Sequence, residues 1–195
     1  MTAGIRIKHG QKNKRKSATR MKKIVVLGPE CTGKTTLVEE LALKYRGAQA
    51  REYSRSYTEG IRSVGSDIGF RDVMPIVHGQ LELEDRAVRE GRELVFLDGN
   101  PLAESVYSQW YYGMLPNMLP EILLLRHYDF YLLCYPDIDW TADPARDMPT
   151  GREDIFKLFE KTVAESGVPY RIVRGQGLAR LENAETALRE HGILS

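Results

Sequence analysis

A glycine-rich segment separates a short β-branched run, Lys23 to Leu27, from an amphipathic segment that begins at Thr35. It follows the spacing G-x-x-x-x-G-K-[ST], which is typical of a phosphate-binding loop. Its residues are Gly28, Pro29, Glu30, Cys31, Thr32, Gly33, Lys34, Thr35 and Thr36. In such a loop the backbone N–H groups converge on phosphate oxygens, and the helix that follows adds its positive N-terminal end. The motif predicts a strand–loop–helix unit that binds a nucleoside triphosphate.

Two side chains of this loop have predicted roles in binding. Lys34 would contact the β- and γ-phosphates and the Thr35 hydroxyl would bind Mg²⁺, so ATP and Mg²⁺ are the predicted cofactors. Cys31 is interpreted as a small loop residue rather than as a nucleophile. The alternative interpretation of the whole segment is a glycine turn with a solvated lysine.

Short apolar runs alternate with amphipathic segments along the chain. Apolar runs bounded by turn residues predict strands, and apolar positions at helical spacing predict helices. The predicted strands cover residues 23–27, 48–52, 94–97, 130–134 and 170–173, and the predicted helices cover residues 35–45, 72–89, 155–163 and 181–188. This alternation predicts an α/β fold with a parallel sheet covered by helices on both faces. A chain of 195 residues is long enough for one such domain.

Cysteine content and hydropathy exclude two classes of protein. Cys31 and Cys134 are too few to hold together a secreted disulfide scaffold. The longest apolar run, residues 130–135, is far shorter than the roughly 18 residues that a membrane-spanning helix needs. The N-terminus has charge but lacks the apolar stretch of a secretory signal. We therefore expect a cytoplasmic protein that does not span a membrane.

Charge is distributed unevenly between the first 20 residues and the rest of the chain. Residues 1–20 contain seven Lys or Arg side chains and no acid, which leaves 21 basic and 27 acidic residues in 21–195. This division predicts a disordered basic tail over 1–20 and a P-loop domain over 21–195. Three roles stay open for the tail: a solvated extension, an electrostatic arm for nucleic acid or anionic lipid, and a targeting signal. Outside the tail, the composition does not favour a nucleic-acid partner.

Acidic residues follow the second and third predicted strands. Ligands of an open parallel sheet bind beyond the carboxyl ends of its strands, so we expect these carboxylates near the phosphate loop. Asp98 is the predicted Mg²⁺ ligand, directly or through water, and an alternative role is to cap the next helix. Glu52 is a candidate general base for an attacking hydroxyl, with Arg51 and Arg55 beside it to meet an anion. A surface charge cluster is the alternative interpretation of these last three residues.

A polar segment after the fourth predicted strand has the composition of a lid. It runs from Asp137 to Arg146 and is followed by Arg152. An arginine in a lid can stabilise the negative charge that develops during phosphoryl transfer. Arg146 is the first candidate for this role and Arg152 the second, and a solvated loop is the alternative. Trp140 would either stack on a flat ring of the substrate or pack against the protein.

In their order, these pieces resemble the ribosylnicotinamide (nicotinamide riboside) kinase domain of the bacterial NadR group, in particular its stand-alone ATP-binding members. The resemblance covers about residues 22–193. The matching stretches are the phosphate loop and residues 51–55, 80–85, 96–102, 108–113, 128–146, 168–175 and 180–184. It implies a P-loop NTPase fold of the nucleoside-kinase type, with strand order 2-3-1-4-5. It also implies transfer of the ATP γ-phosphate to the ribose 5′-hydroxyl of nicotinamide riboside, giving nicotinamide mononucleotide for NAD biosynthesis.

The resemblance also implies roles for individual residues. Lys34 and Thr35 would hold ATP and Mg²⁺, and Asp98 would support the metal or the sugar hydroxyl. Glu52 would be the base, and Arg146 would act from the lid. The candidate cofactor-binding set is the phosphate loop with Arg146 and Arg152, and the candidate substrate-binding set is Arg51, Tyr53, Arg55, Asn100 and Trp140. NadR proteins carry an adenylyltransferase domain ahead of the kinase, so we do not expect this chain alone to make the dinucleotide.

Three functions stay open at this point. The first is a small-molecule kinase whose partner is nicotinamide riboside or another nucleoside. The second is an ATPase or nucleotide-dependent regulatory module, and the third is a kinase of nucleotides in which Arg51 and Arg55 grip an acceptor phosphate. An oligomer is compatible with each of them.

Overall fold

The computed structural model describes residues 20–143, 148 and 150–194. The strands are β1 (Lys22–Leu27), β2 (Ala48–Ala50), β3 (Leu94–Asp98), β4 (Phe130–Cys134) and β5 (Tyr170–Val173). The helices are α1 (Lys34–Tyr45), α2 (Tyr53–Ser63), α3 (Val73–Arg89), α4 (Pro101–Tyr112), α5 (Leu119–Leu125), α6 (Arg152–Glu165) and α7 (Leu178–Glu190). Within the described ranges, none of these helices combines the length and the apolar character needed to cross a bilayer.

The five strands form one parallel sheet in the order β2-β3-β1-β4-β5. The central strand β1 pairs with β3 on one side, where Val26 lies opposite Asp98, and with β4 on the other, where Val26 lies opposite Leu132. Each connection between parallel strands crosses over through at least one helix. The predicted α/β fold and the predicted strand order are confirmed.

The sheet is buried on both faces because successive side chains of β1 point in opposite directions. Val25 and Leu27 pack into the core that is shared with α3, α4 and α6. Ile24 and Val26 pack into the core that is shared with α1 and α7. Both faces of β1 are apolar, which explains why this strand is a continuous β-branched run rather than an alternating pattern.

Four elements differ from the sequence-based prediction: β2 is shorter, and α2, α4 and α5 were not among the predicted helices. Strand β2 ends at Ala50, and Glu52 lies directly before α2 instead of at the end of a strand. Helix α2 has no buried side chain, and Gly60 in its interior disfavours a helix, so it was not predicted. Helix α5 is only seven residues long and was not predicted either. The predicted tail, apart from Arg20, lies outside the described residues, and so does Arg146.

Candidate active site

The phosphate loop begins where β1 ends, and two of its glycines are required by geometry. Gly28 has φ 137°, and a Cβ at this position would lie 2.5 Å from the carbonyl oxygen of Cys134 at the end of β4. Gly33 has φ 72° and is the N-cap of α1. Because glycine has no side chain, the first backbone N–H groups of α1 are left for a ligand, as a phosphate-binding helix requires.

Lys34 is folded back into the loop. Its side chain is buried, and Nζ donates a hydrogen bond to the carbonyl oxygen of Pro29 at 2.9 Å. The Thr32 hydroxyl donates to the same oxygen at 2.8 Å. The ammonium group is therefore already positioned inside the loop, where a phosphate can replace the carbonyl as its partner.

Thr35 and Asp98 connect the phosphate loop to the end of β3. The Thr35 hydroxyl donates to Asp98 Oδ2 at 2.6 Å, and the other carboxylate oxygen of Asp98 has no hydrogen-bond partner among the described residues. Asp98 is 1% exposed. Burial, and then the negative charge of Glu52, raise the pKa of Asp98 to about 6. A hydroxyl beside an unpaired carboxylate oxygen is a donor set that fits Mg²⁺, so these residues suit the cation expected with ATP.

A cavity of about 240 Å³ extends from the phosphate loop between α2, α3 and α4. Its walls are formed by the loop residues Glu30 to Thr36, and by Glu52, Ser54, Arg55, Thr58, Arg62, Ile68, Val73, Ile76, Glu104, Tyr107, Ser108, Tyr111 and Tyr112. One end is therefore lined by the phosphate loop, and the rest is lined by carboxylates, aromatic rings and aliphatic side chains. This combination suits a flat polar molecule beside a phosphate chain.

Glu52 lines this cavity as the N-cap of α2. Its Oε1 accepts a hydrogen bond from the Ser54 hydroxyl at 3.0 Å. The buried side chain of Gln80 holds the backbone on both sides of Glu52, accepting from the N–H of Tyr53 at 2.7 Å and donating to the carbonyl of Arg51 at 3.3 Å. Gln80 also donates to the carbonyl of Gly99 at 3.5 Å, and it thereby ties Glu52 to the end of β3.

Glu104 is a cavity residue that sequence reasoning missed. It lies in the first turn of α4 and is half-buried. Burial, and then the charge of Glu52, raise the pKa of its carboxyl group to about 8, whereas the charge of Lys34 lowers it. The available signal was its spacing from Tyr107, Ser108 and Tyr111, which places the four side chains on one face of a helix. Because no helix was predicted over 101–112, the sequence did not indicate that these four side chains share a face.

The lid segment is fastened to the phosphate loop. Glu30 Oε1 accepts hydrogen bonds from the indole N–H of Trp140 at 2.8 Å and from the backbone N–H of Met148 at 2.7 Å. Arg152 donates to the carbonyls of Ile138 at 2.8 Å and of Cys31 at 3.3 Å. Of these three residues, Glu30 lines the cavity, whereas Trp140 and Arg152 do not. Trp140 and Arg152 instead connect the lid segment to the phosphate loop.

Arg180, on α7, also supports the phosphate loop and was not predicted to have a role in the site. It is 3% exposed, donates to the carbonyl of Thr32 at 2.6 Å and forms an ion pair with Asp137. It reaches the loop from 148 residues away in the chain, so only the tertiary structure shows the contact.

Of the five predicted substrate-binding residues, the structure brings Arg55 to the cavity, where both oxygens of Asp143 accept from it at 3.0 Å. Arg51 instead faces Glu39 on α1 at 3.2 Å. The Tyr53 ring packs against Gly79, where an added Cβ would lie 2.2 Å from it. Arg51 and Tyr53 thus adjoin Glu52 in the chain, but neither of them is among the residues that line the cavity.

The other two predicted substrate-binding residues have structural contacts. Asn100 is buried, accepts from the N–H of Leu102 at 3.2 Å as the N-cap of α4, and donates to the Tyr131 hydroxyl at 3.4 Å. Trp140 donates to Glu30, as described above. The cap role considered for Asp98 therefore belongs to Asn100, two residues later.

Known proteins similar to this chain include NadR. The trifunctional NAD biosynthesis/regulator protein NadR of Escherichia coli (strain K12) is 24% identical over 152 residues, which is 75% of this chain and 37% of that protein. The crystal structure of NadR in complex with NAD and AMP-PNP matches with a TM-score of 0.71 at 25% identity, over 90% of this chain and 50% of that chain. The NadR complex with NR matches with a TM-score of 0.72 at 23% identity, over 90% and 52% of the two chains. The chain thus spans well under two thirds of these relatives.

More distant structures and a family model agree on the kind of domain. A deoxyadenosine kinase from M. mycoides with bound dATP, 13% identical, shares the fold with a TM-score of 0.53, over 86% of this chain and 99% of that chain. The fold is thus that of the P-loop nucleoside and nucleotide kinases. The model of the AAA_28 family, described as an AAA domain, matches residues 23–180. Since this match covers most of the chain, the protein belongs to the AAA_28 family of AAA domains.

Proposed function

We propose that the protein is a magnesium-dependent kinase that transfers the γ-phosphate of ATP to the 5′-hydroxyl of nicotinamide riboside. The observation that carries this proposal is that the phosphate loop and Glu52 line one cavity, and that Thr35 of this loop is hydrogen-bonded to Asp98. The similarity to NadR, whose structures contain AMP-PNP in one case and NR in another, supports this acceptor.

The residues of the site supply the groups that this reaction needs. Lys34 and the N-terminal end of α1 bind the negative phosphate oxygens, and Thr35 and Asp98 would hold Mg²⁺. Bound there, the cation would neutralise charge on the β- and γ-phosphates. Glu52 accepts the proton of the acceptor hydroxyl while the hydroxyl oxygen bonds to the γ-phosphorus. The bond between the γ-phosphorus and the β–γ bridging oxygen breaks at the same time. ADP leaves, and the product is the riboside 5′-monophosphate.

The lid arginines have the same proposed role as in the sequence analysis. Arg152 already contacts the phosphate loop through the carbonyl of Cys31, so a small change of its side chain would direct it to a bound phosphate. Arg146 is proposed for the same charge-stabilising role on the ground of its position in the sequence alone. A guanidinium at this place acts on charge that develops in the transition state.

The direct test is formation of ADP with a panel of acceptors. Purified protein is incubated with ATP, Mg²⁺ and either nicotinamide riboside or one of the common ribonucleosides and deoxyribonucleosides, and the phosphorylated product is identified by mass spectrometry. We expect nicotinamide mononucleotide as the main product. Formation of ADP with a different nucleoside and none with nicotinamide riboside would reject the proposed acceptor but not the kinase.

A second candidate function, phosphorylation of a nucleoside monophosphate, is favoured by the presence of Arg55 and Arg62 on the cavity wall. Either guanidinium could bind an acceptor phosphate. Comparing each nucleoside with its monophosphate as acceptor decides between the two kinases. The same assay without any acceptor measures hydrolysis alone, and a rate equal to that with acceptor would favour the ATPase or regulatory module.

A further inference from the structure

One carboxylate of the cavity has no role in the proposed phosphate transfer. Glu104 faces the cavity from α4, together with Tyr107, Ser108 and Tyr111. The same cavity is lined by the aliphatic side chains of Val73 and Ile76 at the start of α3. Glu104 therefore shares the cavity with aromatic rings and aliphatic groups, which suit the base of an acceptor.

Glu104 is not used to hold the protein together. Among the described residues it forms no hydrogen bond and no ion pair, and the nearby charges that act on it are those of Glu52 and Lys34. Glu52 repels a negative Glu104, and Lys34 is committed to the phosphate loop. A carboxylate in such a place is desolvated without a compensating partner among the described residues, which is unfavourable.

We propose that Glu104 determines acceptor specificity by pairing with a positive charge on the ring of the acceptor. This inference rests on the proposed function, because nicotinamide riboside carries a cationic pyridinium ring whereas the common nucleosides carry neutral bases. When such a ring binds, the carboxylate gains a partner that none of the described residues provides. The rings of Tyr107 and Tyr111 line the same wall and offer aromatic surface to a cation.

The other charged groups of the cavity do not provide this selectivity. Arg55, which donates to both oxygens of Asp143, is itself positive and would repel a cationic ring. Arg62, on the same helix, and Glu30, in the phosphate loop, each have interactions of their own. Glu52 is needed at the acceptor hydroxyl, at the phosphate end of the cavity.

The matched pair of acceptors for a test is nicotinamide riboside and its 1,4-dihydro form. The two differ in ring charge but hardly in size, and both carry the same ribose hydroxyl. For the wild type we expect kcat/KM to be higher for the cationic ring. In Glu104→Gln, which keeps the shape of the side chain but removes the charge, we expect the ratio of the two kcat/KM values to fall roughly tenfold or more. Glu190→Gln, which removes an exposed carboxylate at the end of α7, is the control.

The pH dependence of this ratio gives a second readout. The pKa of Glu104 is raised to about 8, so most of this group is protonated at pH 7. Binding of the cationic acceptor at pH 7 therefore requires that the carboxyl group loses its proton. The wild-type ratio should therefore rise between pH 7 and pH 9, and in Glu104→Gln it should stay level. A purely structural role of Glu104 would change both acceptors alike and would leave the pH profile of the ratio unchanged.

Two outcomes separate this inference from the proposed function. Binding of both acceptors is also measured by calorimetry in the presence of AMP-PNP, so that affinity is known even if no phosphate is transferred. Equal preference for the two rings in wild type and Glu104→Gln would overturn the role of Glu104 while leaving a kinase in place. Absence of transfer to either acceptor would reject the proposed function, and a charge-dependent affinity lost in Glu104→Gln would still support the role of Glu104.

Discussion

The side-chain oxygen of Gln80 accepts a hydrogen bond from the backbone N–H of Tyr53 at 2.7 Å. With its donor bonds to the carbonyls of Arg51 and Gly99, this one amide fixes the position of Glu52 relative to the end of β3. It does so from α3, without facing the cavity itself. Gln80 is therefore a positioning residue for the proposed base.

Gln80→Leu tests this role. Leucine fills similar space but cannot bond to the three backbone groups, so Glu52 loses its fixed position and kcat should fall roughly 10- to 100-fold with little change in the KM of ATP. Buried backbone groups would also lose partners, lowering the free energy of unfolding by about 1–3 kcal/mol. Gln49→Leu, at an exposed position of β2, is the control and should behave like the wild type. A 10- to 100-fold rise in the KM of ATP with kcat unchanged would contradict a role of Gln80 on the acceptor side of the site.

Lys34→Ala should abolish phosphate transfer while leaving the fold intact. The substitution removes the ammonium group that the loop holds at 2.9 Å from Pro29, and it removes little apolar packing. We expect kcat/KM to fall at least about 100-fold, as for the loss of one group that stabilises transition-state charge. Steady-state kinetics and circular dichroism measure the two effects. Lys161→Ala, on the exposed face of α6, is the control, and retained activity in Lys34→Ala would refute the site assignment.

Asp98→Asn should separate stability from activity. Asparagine keeps an acceptor for the Thr35 hydroxyl but carries no charge, so the Mg²⁺ concentration needed for half-maximal activity should rise and kcat should fall about 100-fold. The pKa of Asp98 is raised from its ordinary 3.8 to about 6, so the folded wild type loses stability as pH rises through that interval. Above pH 6 the variant should therefore be more stable, by about 2 kcal/mol in urea unfolding. A variant that is less stable at pH 8 than the wild type would contradict this account of the buried charge.

Glu104→Gln should make the ligand-free protein less sensitive to alkaline pH. The folded state raises the pKa of Glu104 from 4.5 to about 8, so folding is favoured while the group is protonated and becomes less favourable as pH rises between these values. Because the cavity is open to solvent, we expect the effect to be about 1–2 kcal/mol rather than the full value of the shift. Urea unfolding at pH 5 and pH 8.5 measures it. A wild type and a variant with parallel pH profiles would show that Glu104 is not desolvated in solution.

Removing residues 1–19 should leave phosphate transfer within a few-fold of that of the full chain. These residues carry six of the seven cations of the predicted tail and precede Arg20, which contacts His127 and Asp129 beside the start of β4. The phosphate loop lies at the opposite ends of the strands. Kinetics of the full chain and the truncated chain, each at low and at high salt, test this. A collapse of activity on truncation would place the tail in the active site.

The part of the site that follows from a local pattern could be predicted. The phosphate loop is one continuous motif, and Asp98 ends a buried strand, so both are recognisable from short stretches of sequence. Glu52 lines the same cavity as the phosphate loop, although the strand before it is shorter than predicted. In each case the position along a strand is sufficient, because parallel strands end at the same edge of the sheet.

The part of the site that was not predicted depends on packing between segments that are distant in the chain. Gln80, Glu104 and Arg180 reach the site from helices, and the sequence shows neither the rotation of those helices nor what they face. Proximity along the chain was also a poor guide to which side chains line the cavity. Arg51 and Tyr53 adjoin Glu52, yet Arg51 faces Glu39 on α1 and the Tyr53 ring packs against Gly79 on α3.

The close approach of Gly28 to Cys134 has a consequence for how this protein tolerates variation. Any residue other than glycine at position 28 would bring a Cβ to 2.5 Å from a backbone oxygen of a central strand, and that oxygen cannot move without shifting the sheet. Gly60, in the exposed helix α2, has no atom within 4 Å of an added Cβ and accepts alanine, with a gain of roughly 1 kcal/mol. Mutational freedom thus differs completely between two glycines of one chain, and a saturation library would recover a single residue at position 28.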